Sequence, residues 1–370
     1  MIHEFDTVFV HPEVADHHRT LALLERVPHR KVVEIEEIER LERRSRQDPA
    51  SSILRGKFNL ALKPYRGVQV EKCPSSPGMS CCRYRVINLV AGCPIDCSYC
   101  VLQGYLNRPT ITVYPELEKV FAELEEELSG EWPHPLRYGT GELSDSLALD
   151  KHLHFAPELV RFFGRFRQCW FELKTKSAEV GTILDMNPVP PNVVVSWSVN
   201  PRRVVGSEER FAASLDERLE AARRVRDAGY RLGFHFDPIF HYDGWREDYR
   251  EVVEKIYAVA REGDVAWISL GGLRYSPWMA PYYAERFADH PLLAGELHPV
   301  PPDGKYRYPQ PVRIELYRSL NEWITAHDKQ VYVYLCMESP AVFRWALNRE
   351  VEGDCLAVER GFPPPPGWSG

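Results

Sequence analysis

The segment GCPIDCSYC places Cys93, Cys97 and Cys100 at a C-x3-C-x2-C spacing within one short loop. Three thiolates on so tight a loop can bind three irons of a four-iron cluster and leave the fourth iron without a protein ligand, an open position for a small molecule. Shielded from water, such a cluster has a low potential and can pass an electron to whatever docks on its free iron. The competing chemistry for the same residues is zinc, which takes four ligands in a closed tetrahedron. Cys73, Cys81 or Cys82, from the upstream loop KCPSSPGMSCC, could supply the fourth. The chain has nine cysteines, six of them between residues 73 and 100. In a chain read as cytoplasmic, such crowding points to metal ligation or redox chemistry and not to a disulfide framework.

The elements that must hold this loop follow a regular alternation. Strand-like runs occupy residues 84–91, 135–141, 169–175, 192–200, 230–240, 265–273 and 330–337. Helix-period segments lie between them: YPELEKVFAELEEEL, APELVRFFGRF, SAEVGTILDM, LDERLEAARRVRDAG, DYREVVEKIYAVARE and VRIELYRSLNEWITAHD. Alternation of this kind builds a parallel sheet. Polar residues recur just after strand after strand, which places them on one rim and suits an α/β fold of the partial β/α (TIM-type) barrel kind. A doubly wound sheet fits less well, because a cysteine loop stands where a Gly-rich turn would follow the first strand. The reading divides the chain into an N-terminal extension (1–75), a barrel (76–345) and a tail (346–370). The tail ends in GFPPPPGWSG, which predicts a polyproline segment lying exposed or against the surface.

Composition narrows the function class. With 370 residues, 44% hydrophobic and 12% aromatic, the chain can bury a sizeable core. A formal net charge of −7 argues against holding nucleic acid by bulk electrostatics, leaving room for a local basic groove. The arginine clusters ERLERRSRQ (39–47) and RRVRD (223–227) read as solvated helical faces. No basic segment followed by an apolar run opens the chain and ionic residues interrupt every apolar stretch, so a cytoplasmic, membrane-free protein, monomeric, is expected.

The cysteine spacing, with Tyr99 just before the last cysteine, resembles the signature of the radical-SAM superfamily, whose motif follows the first strand of a partial β/α barrel. The resemblance implies a 4Fe-4S cluster, S-adenosylmethionine as its ligand, and Tyr99 beside the adenine. A chelated methionine end needs a cation and carboxylates, and the ribose needs hydroxyl or amide groups. Gly139, Thr140, Gly141, Glu142 and Ser144, in GTGELSDS, offer close backbone approach and an acceptor for the amine. Lys174 and Lys176, in KTKS, can pair with the carboxylate. Ser196, Ser198 and Asn200, in SWSVN, alternate with period 2 and share one face.

Longer segments resemble spore photoproduct lyase and its relatives: GCPIDCSYCVLQGYLN, VSWSVNP and AARRVRDAGYRLGFHFDPIFHYDGW, within residues 80–280. That resemblance implies hydrogen abstraction from a methylene-bridged thymine dimer, with damaged DNA as partner and a reductant such as flavodoxin or ferredoxin. The family carries a hydrogen-donating cysteine just after the second strand. Here the position falls at or next to Glu142, and no cysteine stands between Cys100 and Cys169. Cys336, at the end of the seventh strand-like run, is the substitute this reading proposes, with Tyr105 as a second catalytic candidate. His235, Asp237, Tyr242 and Arg274 are the groups expected nearest the substrate, Arg274 as a phosphate ligand. Two other readings stand beside it: an enzyme of the same fold with a different substrate, and a zinc- or cluster-binding protein without turnover.

Overall fold

All seven strand-like runs become strands: β1 (Arg85–Ile87), β2 (Leu136–Gly139), β3 (Cys169–Thr175), β4 (Val193–Ser198), β5 (Arg231–Ile239), β6 (Val265–Gly272) and β7 (Tyr332–Leu335). They lie side by side in chain order, each parallel to the next, and Val70–Lys72 adds an antiparallel strand beside β1. The sheet is an open, curled half-barrel in a computed structural model that describes the chain apart from residues 1–3, 39–48, 75, 77, 81, 107, 289–295, 302, 352–357, 359–360 and 369–370. The arginine cluster at 39–47 and Cys81 therefore lie outside the described residues. Every residue of β4 and β6 is buried, the expected state of parallel strands covered on both faces, and this explains their near-continuous apolar runs.

The helices α1 (Leu117–Leu128), α2 (Phe155–Phe163), α3 (Gly181–Leu184), α4 (Leu215–Asp227), α5 (Trp245–Val259) and α6 (Gln310–His327) follow the expected order. Segment 177–186 shrinks to the single turn α3. In α1, Leu117, Val120, Leu124 and Leu128 recur at helical spacing and form its buried stripe. Phe163 of α2 stacks on Phe171 of β3 with centroids 4.3 Å apart. A capping box between Ser214 and Glu217 starts α4 and contributes about 1 kcal/mol. Arg223 in the RRVRD cluster meets Glu220 and Asp227 on the exposed face of α4.

The first stretch holds a second, five-stranded sheet. Phe5–Val10 lies between His29–Glu34 and the central strand Asn59–Leu62, parallel to both. Ile111–Val113 then pairs with Asn59–Leu62, and Val90–Ala91 with Ile111–Val113, so segments on both sides of the cysteine loop are stitched into this sheet. Among the described residues, no helix is long and apolar enough to cross a membrane.

Two segments close the half-barrel. Ahead of β1, Ser80 reaches the far edge of the half-barrel, where its amide donates to the Glu338 carbonyl just beyond β7 at 2.8 Å, and Lys305 Nζ reaches Ser76 Oγ at 2.9 Å. At the opposite end the proline run lies against the surface as expected, with Pro364 and Pro366 exposed, but the residue ahead of it inserts. Phe362 is only 6% exposed, and its ring meets Trp267, Tyr332 and Tyr334. Trp170 Nε1 donates to the Pro363 carbonyl and the Tyr332 hydroxyl to the Val358 carbonyl, each at 2.8 Å. The correction has a plain cause: a single aromatic residue ahead of the prolines finds an apolar hole at the N-terminal ends of the strands.

Candidate functional site

The cysteine loop is pinned from several elements. Lys57 Nζ donates to the carbonyls of Cys93 and Ile95, each at 2.8 Å. The Asp96 carboxylate, fully buried, receives two bonds of 3.0 Å from Arg286, with Lys57 and Arg210 each at 3.7 Å. Gln103 Nε2 donates to the carbonyls of Cys97 (2.6 Å) and Ser98 (3.0 Å). Asp96–Cys97 pairs antiparallel with Glu209–Arg210.

The three thiols sit in a small apolar group with Ile95, Tyr99, Ala148 and Ala212, separate from the main core, where Cys82 packs. Burial pushes all three thiols up, Cys93 to about 12, so ionising them here takes a strong local positive charge, which iron ions supply. Among the described residues, His17, His18 and Glu118 form the trio of metal-capable side chains whose ligand atoms lie within 4.8 Å of one another, and the loop thiols are spread more widely. Zinc–sulfur bonds of about 2.3 Å would draw thiolates to about 3.8 Å apart. Three sulfurs on a pinned loop with wide spacing, one buried and two half-buried, fit a cluster better than a single ion.

Tyr99 leads from the loop to the strand ends. Its hydroxyl donates to Glu209 Oε1 at 2.5 Å, and the same oxygen accepts from Asn200 Nδ2 at 3.0 Å. Arg218 pairs with Glu209 Oε2 and donates to the Ser198 carbonyl at 2.9 Å. Burial alone would raise Glu209, but Arg218 and Lys176 outweigh it and bring the carboxyl to about 2. Tyr249 fixes Asn200 from the other side at 2.9 Å. Lys176 Nζ lies 5.8 Å from the centre of the Tyr99 ring.

Asp145 ties the turn after β2 to the end of β3. It accepts from Thr175 Oγ1 (2.6 Å), the Lys176 amide (2.7 Å) and the amides of Leu147 and Ala148. Thr140 Oγ1 donates to Ser146 Oγ at 2.9 Å, and Ser144 Oγ is buried without a partner among the described residues. A Cβ on Gly139 would fall 1.7 Å from the Tyr84 hydroxyl, so that glycine makes room for Tyr84; one on Gly141 would touch Lys174 at 3.0 Å.

Lys174, Asp237, Arg274 and Cys336 converge at the mouth. Arg274 grips Asp237 through two bonds of 2.9 and 3.2 Å and reaches Cys336 Sγ at 3.4 Å. Burial would lower Lys174, but Glu142, Glu172, Asp237 and Cys336 raise it above its ordinary value, which keeps it a cation. Deeper in the lumen, Ser196 and His235 both bond Glu172, at 2.7 and 2.8 Å. Tyr242 stands apart, donating to Asp248 at 2.8 Å, and Tyr105 is 57% exposed. The arrangement thus gathers Cys93, Cys97, Cys100, Tyr99, Lys176 and Asn200 in one place, Lys174, Asp237, Arg274 and Cys336 in a second, and leaves Tyr105 and Tyr242 outside both. Sequence reasoning missed Lys57, Asp96, Asp145, Glu172, Glu209 and Arg218; of these only Asp96 and Asp145 carried a signal, their places inside the two polar loops.

The spore photoproduct lyase family model matches residues 6–269. The spore photoproduct lyase of Geobacillus sp. is 33% identical over 171 residues, 46% of this chain and 50% of that protein. That of Bacillus subtilis is 30% identical over 173 residues, again 46% and 50%. The chain spans about half the length of the curated relatives it matches. Among solved structures, a spore photoproduct lyase complexed with dinucleoside spore photoproduct superposes with a TM-score of 0.77 at 23% identity, covering 90% of this chain and 98% of that one. A mutant lyase with bound AdoMet and the same dinucleoside gives 0.77 at 24%, with the same coverage. These structures share the half-barrel fold.

Proposed function

The chain belongs to the spore photoproduct lyase family, and from that premise we propose that it is a radical-SAM enzyme that reopens a bridged thymine lesion in DNA. The observation that carries the reading is the pinned loop, whose three thiols, Cys97 buried and Cys93 and Cys100 half-buried, lie beside Tyr99, Lys176 and the Glu209–Asn200 pair. When bound, the 4Fe-4S cluster and S-adenosylmethionine supply the electron and the carbon radical that takes hydrogen from the substrate.

The chain's own residues do the rest. Cys93, Cys97 and Cys100 hold the irons, and Tyr99, oriented by Glu209, flanks the adenine. Lys174 or Lys176 pairs with the methionyl carboxylate and Glu142 accepts from the amine. Gly139, Thr140, Gly141 and Ser144 line the approach with Ser198 and Asn200, while Ser196 is held by Glu172 deeper in the lumen. His235, Asp237 and Arg274 face the substrate, while the Asp248 bond holds Tyr242 at a distance from it. Cys336 gives its S–H hydrogen atom to the product radical and is left as a thiyl radical, which an electron from the external reductant and a proton from solvent restore to the thiol; Arg274 holds the sulfur at the mouth, within 3.4 Å. An external flavodoxin or ferredoxin, a monomeric state and a cytoplasmic location complete the reading.

Oxygen-free, reconstituted protein given S-adenosylmethionine, reductant and dinucleoside photoproduct should release thymidine in step with turnover. Absence of 5′-deoxyadenosine under these conditions, or stoichiometric zinc without labile sulfide, overturns it. Cys336→Ala should keep S-adenosylmethionine cleavage and divert the product to side species; an unchanged product pattern removes Cys336 from the role. A second reading, the same chemistry on another substrate, is favoured by the lack of any cysteine between Cys100 and Cys169. It gains if deoxyadenosine forms and thymidine does not.

A further inference from the structure

Glu172 organises the lumen floor in a way the roles above leave unused. Its side chain is nearly fully buried, and Oε1 accepts from Ser196 Oγ (2.7 Å), His235 Nε2 (2.8 Å) and Trp267 Nε1 (2.9 Å), while Arg137 lies 3.3 Å from Oε2. Burial would raise this carboxyl, but His235, Arg137 and Lys174 hold it well below the usual range, so it is an anion and only accepts. The bond from His235 Nε2 therefore fixes the ring proton on that nitrogen. Burial lowers His235 against the pull of Glu172, which leaves the ring neutral and Nδ1 a bare acceptor.

Among the described residues, Nδ1 has no hydrogen-bond partner, although His235 is only 7% exposed. On β5, His235 and Asp237 are two residues apart and point to the same face, the one that carries Arg274 and Cys336 at the mouth. Lys174 and Arg137 stand near the ring and repel a cationic donor. What suits Nδ1 is a neutral N–H.

We infer that Glu172 is a positioning residue that locks His235 in its Nε2–H form, so that Nδ1 receives the ring imide N–H of a pyrimidine in the substrate. This rests on the substrate reading above. Ser196, bonded to the same carboxylate, belongs to this floor, and Trp267 braces it from β6.

The holoenzyme can be tested with dinucleoside photoproduct and its N3-methylated form. Wild type should bind the parent at least about tenfold more tightly, the size of one buried hydrogen bond lost with its partner left unpaired. His235→Gln keeps a donor toward Glu172 and places no acceptor at the Nδ1 position; it should bind the parent about tenfold more weakly, with the preference over the methylated form reduced. His235→Asn keeps an acceptor near the Nδ1 position and should retain that preference. Equal binding of both dinucleosides by wild type, a result that needs no variant, overturns the inference alone, as does an undiminished preference in His235→Gln. Binding of neither by wild type, with S-adenosylmethionine still cleaved, overturns the substrate reading and this inference with it.

Discussion

The Glu209 and Arg218 side chains are both wholly enclosed, and each is the other's charge partner. Replacing Glu209 by Gln strands a buried guanidinium, and unfolding in urea should show a loss of about 3–5 kcal/mol. Glu172 makes a different prediction, one of pH. Its folded value is depressed below the ordinary carboxylate value of about 4.3, so the stability it contributes is complete above that pH and drains away as pH falls further. Glu172→Gln should flatten that acid limb, and denaturant midpoints compared at neutral pH and near pH 3 would show it. An equally steep limb in the variant would assign it to another group. Neither residue was legible in the sequence. Tyr99 and Glu209 are 110 residues apart, Glu172 and His235 63 apart, and only the curl of the sheet brings them into contact. What could be read were residues whose spacing is local, the three cysteines above all.

Among the elements, the cysteine loop depends on a strap of charges more than on its own conformation. Asp96 joins Arg286, Lys57 and Arg210, drawn from three separate segments. Asp96→Asn should lower the iron retained per chain after reconstitution while far-ultraviolet circular dichroism stays unchanged; full iron loading would show that the cysteines suffice alone. The barrel strands were legible because a strand buried on both faces must be apolar along its whole length. The small sheet was not. FDTVFV and KFNLALKPY are short, and the pairing of Asn59–Leu62 with Phe5–Val10 before the cysteine loop and Ile111–Val113 after it leaves no local mark. The segment 177–186 misled in the other direction, since helical periodicity there supports one turn only.

For the molecule as a whole, the half-barrel has two weak places, its open edge and its floor, and each is covered by a segment from outside the run of β/α units. The floor holds Arg137, whose guanidinium lies 3.9 Å from the Phe362 ring centre and 4.4 Å from that of Trp267. Phe362→Ala should cost about 3–5 kcal/mol and lower the melting temperature, because the void it leaves opens beside a buried cation. An unchanged melting temperature would mean that the ring only decorates the floor. The tail's role escaped the sequence because four prolines signal exposure, whereas the residue that matters precedes them. Phe362 also comes after every strand it touches. During synthesis, then, the seven strands emerge and curl around a hollow that still admits water from below, and the stopper arrives last. A nascent chain halted short of it would carry every side chain of the candidate site and a leaking vessel.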